Sequence, residues 1–107
     1  MYSVRLTADA QEYLNSLQKN HQAKAEAIMA RLRFLGPDLH RPHADAVRGK
    51  IRELRCGIGT FEHRFLYFFD GKEIILTHGF LKKDDAISER EIAKAERYYG
   101  LYFSRKS

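Results

Sequence analysis

The strongest constraint on this chain is a series of three strand-like segments in its second half. They cover residues 50–56, 60–69 and 72–80, and two short stretches, Gly57-Ile58-Gly59 and Asp70-Gly71, separate them. The Asp-Gly pair is among the strongest hairpin signals, because both residues tolerate the positive φ angles that a two-residue turn requires. The sequence therefore predicts an antiparallel β-meander from residue 50 to residue 80.

A short strand and two helices are predicted before the meander. Residues 2–6 alternate in character like a strand, and Thr7 is a suitable N-cap for a following helix. Two sets of apolar residues at helical spacing follow, separated by the polar break Lys19-Asn20-His21. The first set is Ala10, Tyr13, Leu14 and Leu17, and the second is Ala25, Ile28, Met29, Leu32 and Leu35. Gly36-Pro37 ends the second helix, since proline cannot continue it.

A loop and a final helix complete the predicted fold. Residues 38–49 show no apolar period and carry several basic side chains, so we predict a basic loop there. Ser88 and Glu91 form a capping box for the last helix, whose apolar stripe is Ile92, Ala95, Tyr99 and Phe103. The order β-α-α-β-β-β-α predicts a single α+β domain over residues 1–107. Its small, mostly antiparallel four-stranded sheet carries two N-terminal helices on one side and a C-terminal helix.

Composition limits the classes of function. The 19 Lys and Arg residues outnumber the 14 Asp and Glu residues, and the net charge of +5 suits a protein that binds an anionic surface or polyphosphate. The single cysteine, Cys56, excludes an intramolecular disulfide. The sequence shows neither a signal-peptide core nor an apolar stretch of about 18 residues. We therefore expect a cytoplasmic protein with no membrane partner.

Several kinds of chemistry lack their usual motifs. A glycine-rich phosphate loop and a nucleophile elbow are both missing, which argues against nucleotide hydrolysis and acyl transfer. His40 and His43 are three residues apart, but no cysteine or carboxylate pair stands at metal-ligand spacing beside them. We expect neither a metal nor another cofactor. His21 is predicted at the surface and His63 at the edge of the core, while His78 fits either place.

Arg64 is the least expected residue of the meander, because it stands inside an otherwise apolar strand. Strand alternation places its side chain on the face of Leu66 and Phe68, and in the preceding strand it places Arg55 on the face opposite Leu54. In a meander the two arginines become spatial neighbours. A buried guanidinium is tolerated when it pairs with a carboxylate, here Glu53 or Glu62, or when part of the sheet face is left open as a site. Both interpretations can hold together.

The resemblance to a known family lies in four motifs. They are RGKIRELR at 48–55, HRFLY at 63–67, HGFLKK at 78–83, and Glu91-Ile92 with Ala95. In this order they resemble the phage-derived, HigB-like branch of the RelE toxin superfamily, over roughly residues 45–103. The resemblance implies a RelE-like fold and a toxin of a type II toxin–antitoxin system that cleaves mRNA on the ribosome. It also implies a cognate helix-turn-helix antitoxin that silences the toxin in a heteromeric complex.

The sequence departs from this family at one point. Relatives commonly continue after the paired lysines with Thr- and Pro-containing residues, whereas here Asp84-Asp85-Ala86-Ile87-Ser88 follows. Two carboxylates beside Lys82-Lys83 lower the local positive potential. In isolation, the lysine pair also fits a solvated turn.

RNA is cut without a metal when its 2′-OH attacks the adjacent phosphorus, a reaction that needs a base, an acid and cations around the charged phosphorane. We expect Arg64 and Arg55 to hold the scissile phosphate, and Lys82 or Lys83 to stabilise charge or donate the proton. The lower-ranked acid or base candidates are His78, Tyr98 and Tyr99. The predicted RNA contacts are Arg48, Lys50, Arg52 and Arg97, with Tyr98 and Tyr102 able to stack on bases.

Two other functions compete with this one. A non-catalytic basic module that binds RNA or DNA would use the same cations only to follow phosphates, and the absence of cleavage would identify it. A phage-derived structural protein held by protein contacts would show no toxicity on expression.

Overall fold

The computed structural model describes residues 1–106, which form one five-stranded sheet and three α-helices. In chain order the elements are β1 (Ser3–Leu6), α1 (Ala8–Ser16), α2 (Lys19–Leu35), a 3-10 turn (Gly36–Asp38), β2 (Ala44–Arg48), β3 (Ile51–Ile58), β4 (Phe61–Asp70), β5 (Glu73–Leu81) and α3 (Glu89–Lys106). The strand order is β1-β5-β4-β3-β2. β1 runs parallel to β5, and the other neighbouring pairs are antiparallel. The predicted α+β class and the meander are confirmed.

One strand was missed, because the predicted loop 38–49 contains β2. This strand pairs antiparallel with β3, with Ala44 opposite Leu54 and Ala46 opposite Arg52. Its sequence, ADAVR, is rich in alanine and charged residues, which have low intrinsic strand propensity. Pairing with β3 therefore supplies the strand, and the sheet has five strands where the sequence predicted four.

The break between the first two helices lies earlier than predicted. α1 ends at Ser16 and α2 already begins at Lys19, so the polar residues 19–21 form the first turn of α2. The prediction of a surface position for His21 is wrong, since its side chain is buried. Position 21 shares a helix face with Ala25 and Ile28, and this face packs on the sheet. The predicted caps are confirmed: the Ala10 N–H donates to Thr7 Oγ1 at 3.1 Å, and Gly36 ends α2 with a φ of 56°.

The two faces of the sheet have separate cores. α1 and α2 cover one face, where they pack on Leu54, Cys56, Phe65, Tyr67, Ile74 and Leu76. α3 covers part of the other face through Ala95, Tyr99, Tyr102 and Phe103, which pack on Ile51, Leu66, Phe68 and Ile75. This division confirms the strand alternation and the core positions predicted for Tyr99 and Phe103. No helix within residues 1–106 is long and apolar enough to cross a membrane.

Polar contacts surround the apolar stripe of α3. The Tyr98 hydroxyl donates to Asp9 at the start of α1, and the Tyr102 hydroxyl donates to Asp70 at the end of β4, both at 2.7 Å. Ser88 caps the helix, since its hydroxyl accepts from the Glu91 N–H at 3.4 Å. Hydrogen bonds at both ends of the sheet contact therefore hold α3 in addition to its apolar packing.

Candidate active site

Arg55 and Arg64 are direct neighbours in the sheet, because β3 and β4 pair them in register. Their side chains share the face that α3 partly covers, just beyond Glu53 and Leu66. The predicted juxtaposition of the two arginines is present in the structure.

The Arg64 guanidinium is almost completely buried, with 3% of its side chain exposed. Its Nε donates to Glu53 Oε1 at 2.9 Å, and its Nη1 lies 3.1 Å from Glu62 Oε1. The same Nη1 donates to the carbonyl oxygen of His63. Both ion pairs considered from the sequence are formed. They hold Arg64 in one orientation and offset the cost of burying its charge.

An open concavity lies beside this ion pair, and Arg55 is exposed to it. The Arg55 side chain is 30% exposed, and its Nε is 3.6 Å from Glu53 Oε1. The concavity has a volume of about 430 Å³ and is lined by Lys24, Pro42, His43, Arg55, Gly57, Glu62 and Arg64. Three cations from three elements, α2, β3 and β4, therefore line the concavity together with Glu62, while Glu53 beside it pairs with both arginines. This concavity can receive an anion.

The lysine pair lies on the other side of Glu62. The Lys82 N–H donates to the Glu62 carbonyl at 2.9 Å, and the Lys82 ammonium donates to the Asp84 carbonyl at 2.6 Å. A second concavity of about 470 Å³ is lined by Thr60, Phe61, Glu62, Leu81, Lys82, Lys83, Asp84 and Asp85. The arginine and lysine sides of the candidate site thus flank a single side chain, Glu62. Asp84 and Asp85 lie on the lysine side.

The predicted acid and base candidates lie elsewhere, in the interface between α3 and the sheet. His78 is buried, with its Nδ1 2.9 Å from Thr77 Oγ1 and its Nε2 3.0 Å from Glu91 Oε1. Burial lowers the pKa of His78. The Tyr98 hydroxyl is engaged with Asp9, and the Tyr99 ring packs 5.0 Å from that of Phe68. These contacts give all three side chains a structural role in docking α3.

The predicted RNA contacts are divided between two places. Arg48 pairs with Glu89 at 2.8 Å and with Glu96 at 3.0 Å, and the carboxylates of Glu96 and Glu89 raise its pKa. Arg48 thereby anchors α3 to β2. Lys50 and Arg52 line a third concavity at the β2–β3 turn, at the end of β3 away from Arg55. Arg97 is exposed on α3.

Two lining residues, Lys24 and His43, were not predicted at this site. His43 lies directly before β2, the strand that the sequence did not predict. The backbone N–H of Arg55 donates to the His43 carbonyl at 2.8 Å, which brings His43 to the concavity. Burial and the positive charges of Arg31 and Lys24 lower the pKa of His43. In the sequence, the only signal for His43 is its position in a basic stretch. Lys24 carries no signal beyond its helical register.

A buried hydrogen-bond chain lies on the opposite face of the sheet. The Tyr13 hydroxyl is 2.6 Å from His63 Nδ1, and His63 Nε2 is 2.9 Å from His21 Nδ1. Burial raises the pKa of Tyr13 to about 12 and that of the neighbouring Cys56 thiol to about 12. The buried position predicted for His63 is confirmed. In residues 1–106, no three His, Cys, Asp or Glu side chains are placed to hold a metal together.

Comparisons with known proteins agree with this architecture. A family model described as "Phage derived protein Gp49-like (DUF891)" matches residues 12–100. Comparison with curated proteins finds no match. Among solved structures, a copper-bound mutant toxin from Helicobacter pylori aligns with a TM-score of 0.55 and 19% identity, over 76% of this chain and 94% of that chain. At this identity the likeness shows the fold alone.

Proposed function

The chain belongs to the Gp49-like family of phage-derived proteins, a HigB-like branch of the RelE toxin superfamily, and we propose that it is the toxin of a type II toxin–antitoxin pair. In this proposal, residues 1–107 act as one toxin domain that cleaves mRNA on the ribosome, in the cytoplasm. The observation that carries the proposal is the open concavity beside Arg55, where Lys24, Arg55 and Arg64 outnumber Glu62 and the adjacent Glu53. A phosphate diester bears the opposite charge.

Each cation has a distinct part in the proposed cleavage. The exposed Arg55 contacts a non-bridging oxygen of the scissile phosphate and stabilises the charge of the phosphorane. Arg64 contributes its charge from the wall, while its bonds to Glu53 and Glu62 keep the rim in place. Lys82 or Lys83 approaches from the other side of Glu62 and donates a proton to the leaving 5′-oxygen.

The proposed partners follow from the family and from the charge. A cognate helix-turn-helix antitoxin binds the toxin and blocks either the concavity or its access to the ribosome. The net charge of +5 favours association with ribosomal RNA and with the message.

Arg55→Ala is the sharpest test of the proposal. The loss of one transition-state cation is expected to reduce cleavage by about 10²-fold or more. The measurement is the appearance of new 5′ ends on ribosome-bound message, together with growth after induction. Arg64→Ala is less suitable, because it leaves the carboxylate of Glu53 buried without its closest partner.

Arg5→Ala is the matched control, since Arg5 is an exposed arginine on β1 that pairs with Glu73. It is expected to cleave like the parent. Parental cleavage by a folded Arg55→Ala protein would contradict the assignment of this residue. A parent that cuts no ribosome-bound message would contradict the nuclease function itself.

Asp84 and Asp85 favour one alternative, a module that binds RNA without cutting it. Both line the lysine concavity and reduce its positive potential. In that case the parent would bind message with a strong salt dependence and leave its 5′ ends unchanged.

A further inference from the structure

The geometry points to His43 as the group that takes the proton from the attacking 2′-OH, with Lys24 as a second phosphate contact beside Arg55. This inference rests on the proposed function and names its proton acceptor. His43 is the only histidine among the residues that line the arginine concavity.

His43 is held firmly at the mouth of this concavity. Its backbone carbonyl accepts from the backbone N–H of Arg55 at 2.8 Å, and its backbone N–H donates to the His40 carbonyl at 3.0 Å. The backbone that carries the imidazole is therefore bonded directly to the backbone that carries the exposed arginine. The backbone positions of the proposed proton acceptor and of the phosphate contact are thus fixed relative to each other.

The charges around His43 favour its neutral form. Lys24 and Arg31 face it from α2, Arg55 from β3, and Arg64 with Glu62 from β4. Because burial and the cations of α2 lower the pKa of His43, its imidazole is neutral at pH 7 and can accept a proton. The side chains of His21, His63 and His78 are instead engaged in buried hydrogen bonds.

The proposed step balances as follows. An imidazole nitrogen of His43 removes the 2′-OH proton while the O2′–P bond forms and the P–O5′ bond breaks. The leaving 5′-oxygen takes a proton from the ammonium of Lys82 or Lys83. The products are a 2′,3′-cyclic phosphate and a free 5′-OH, and Lys24 with Arg55 neutralises the charge that builds on the phosphorane.

His43→Gln is compared with His40→Gln, a matched variant in the same segment whose side chain is exposed. The loss of a general base is expected to reduce the single-turnover rate of cleavage of ribosome-bound message by about 10²-fold or more. The free energy of unfolding should stay unchanged. In the parent, the rate of cleavage is expected to rise with pH as His43 loses its proton, with a midpoint below pH 6.5, the ordinary pKa of histidine. The His43→Gln protein should lack this rise, and His40→Gln should keep it.

A binding measurement separates this inference from the proposed function. Cytidine 3′-monophosphate is titrated into the full chain while the histidine ring signals are followed by NMR. We expect the signals of His43 to shift, those of His40 to stay in place, and the response to weaken in Lys24→Ala but not in Lys19→Ala, which changes an exposed lysine of the same helix.

The outcomes are distinguishable. A shift of the His43 signals in a parent that cuts no message supports the phosphate contact and contradicts the nuclease function. Cleavage by His43→Gln at the parental rate and with the parental pH profile overturns the inference while the nuclease function stands. Unmoved His43 signals overturn the phosphate contact.

Discussion

The two faces of the sheet are closed by different forces. On one face, α1 and α2 bury a continuous apolar cluster, and a hydrogen-bond chain joins Tyr13, His63 and His21 there. On the other face, α3 buries a smaller cluster and is fastened at its margins by polar contacts such as those of Arg48 and Tyr98. Apolar packing dominates the first face, and the second face combines its smaller apolar cluster with paired polar groups at the margin of α3.

This difference explains where the candidate site lies. The first face carries two helices, and its buried strand positions are largely apolar. The second face is covered only in part, and the neighbouring stretch carries Arg55, Arg64 and the open concavity. The fold thus separates the packing that stabilises it from the surface that is available for chemistry.

The largest effect is expected from Gly79→Ala, which tests how closely α1 packs on the sheet. A Cβ at this position would lie 2.4 Å from Tyr13 Cδ2 and 2.8 Å from Phe65 Cε2. The Phe65 ring is fully buried and the Tyr13 hydroxyl is bonded to His63 Nδ1, so a shift of either ring disturbs these contacts. We expect a loss of about 1–3 kcal/mol or more in the free energy of unfolding, measured by urea denaturation.

Gly100→Ala is the control on the other face. A Cβ there meets nothing within 4 Å, and the residue lies inside α3, where alanine is favoured over glycine by up to about 1 kcal/mol. This variant should be as stable as the parent or more so. Equal stability for the two glycine variants would show that the first face is not closed as tightly as described.

A smaller effect is expected from acidification, which compares the buried histidine of each face. Burial lowers the pKa of both His63 and His78 in the folded protein. The unfolded chain therefore binds more protons once the pH falls below about 6.5, and stability declines from there toward pH 5. Urea unfolding at pH 7.5 and pH 5.5 should show this loss.

The loss of stability between pH 7.5 and pH 5.5 should be smaller in His63→Gln and in His78→Gln, since each variant lacks one histidine whose pKa is lowered in the folded protein. An unchanged loss in both variants would contradict the assignment. A change in only one of them would show which face responds to pH.

The smallest effect is expected from Arg48→Gln, which removes two exposed ion pairs from the margin of α3. Exposed pairs contribute little and are screened by salt. We expect a slight loss in the free energy of unfolding at low ionic strength, and this loss should fade in 1 M salt. Relative to the parent, amide hydrogen exchange should accelerate more in α3 than in α2. Lys50→Gln, a nearby exposed change at the β2–β3 turn, should show neither result.

The sequence predicts the elements that cover the two faces better than it predicts the candidate site. Apolar periodicity located α1, α2 and the meander, and the meander predicted that Arg55 and Arg64 lie close together. β2 was missed because ADAVR has no strand pattern of its own, and His21 was misplaced because its polar neighbours concealed its helical phase. Lys24 and His43 reach the site from α2 and from the segment before β2, so only the tertiary packing brings them to Arg55.

The parallel pairing of β1 with β5 has a consequence for the order of assembly. Residues 3–6 are synthesised before the other strands of this sheet, yet their hydrogen-bonding partners are residues 73–76. Closing so long a loop is entropically costly, whereas the β3–β4 and β4–β5 hairpins need only short turns. We expect β1 to stay unpaired until β5 has been synthesised, and to join the sheet among the last segments.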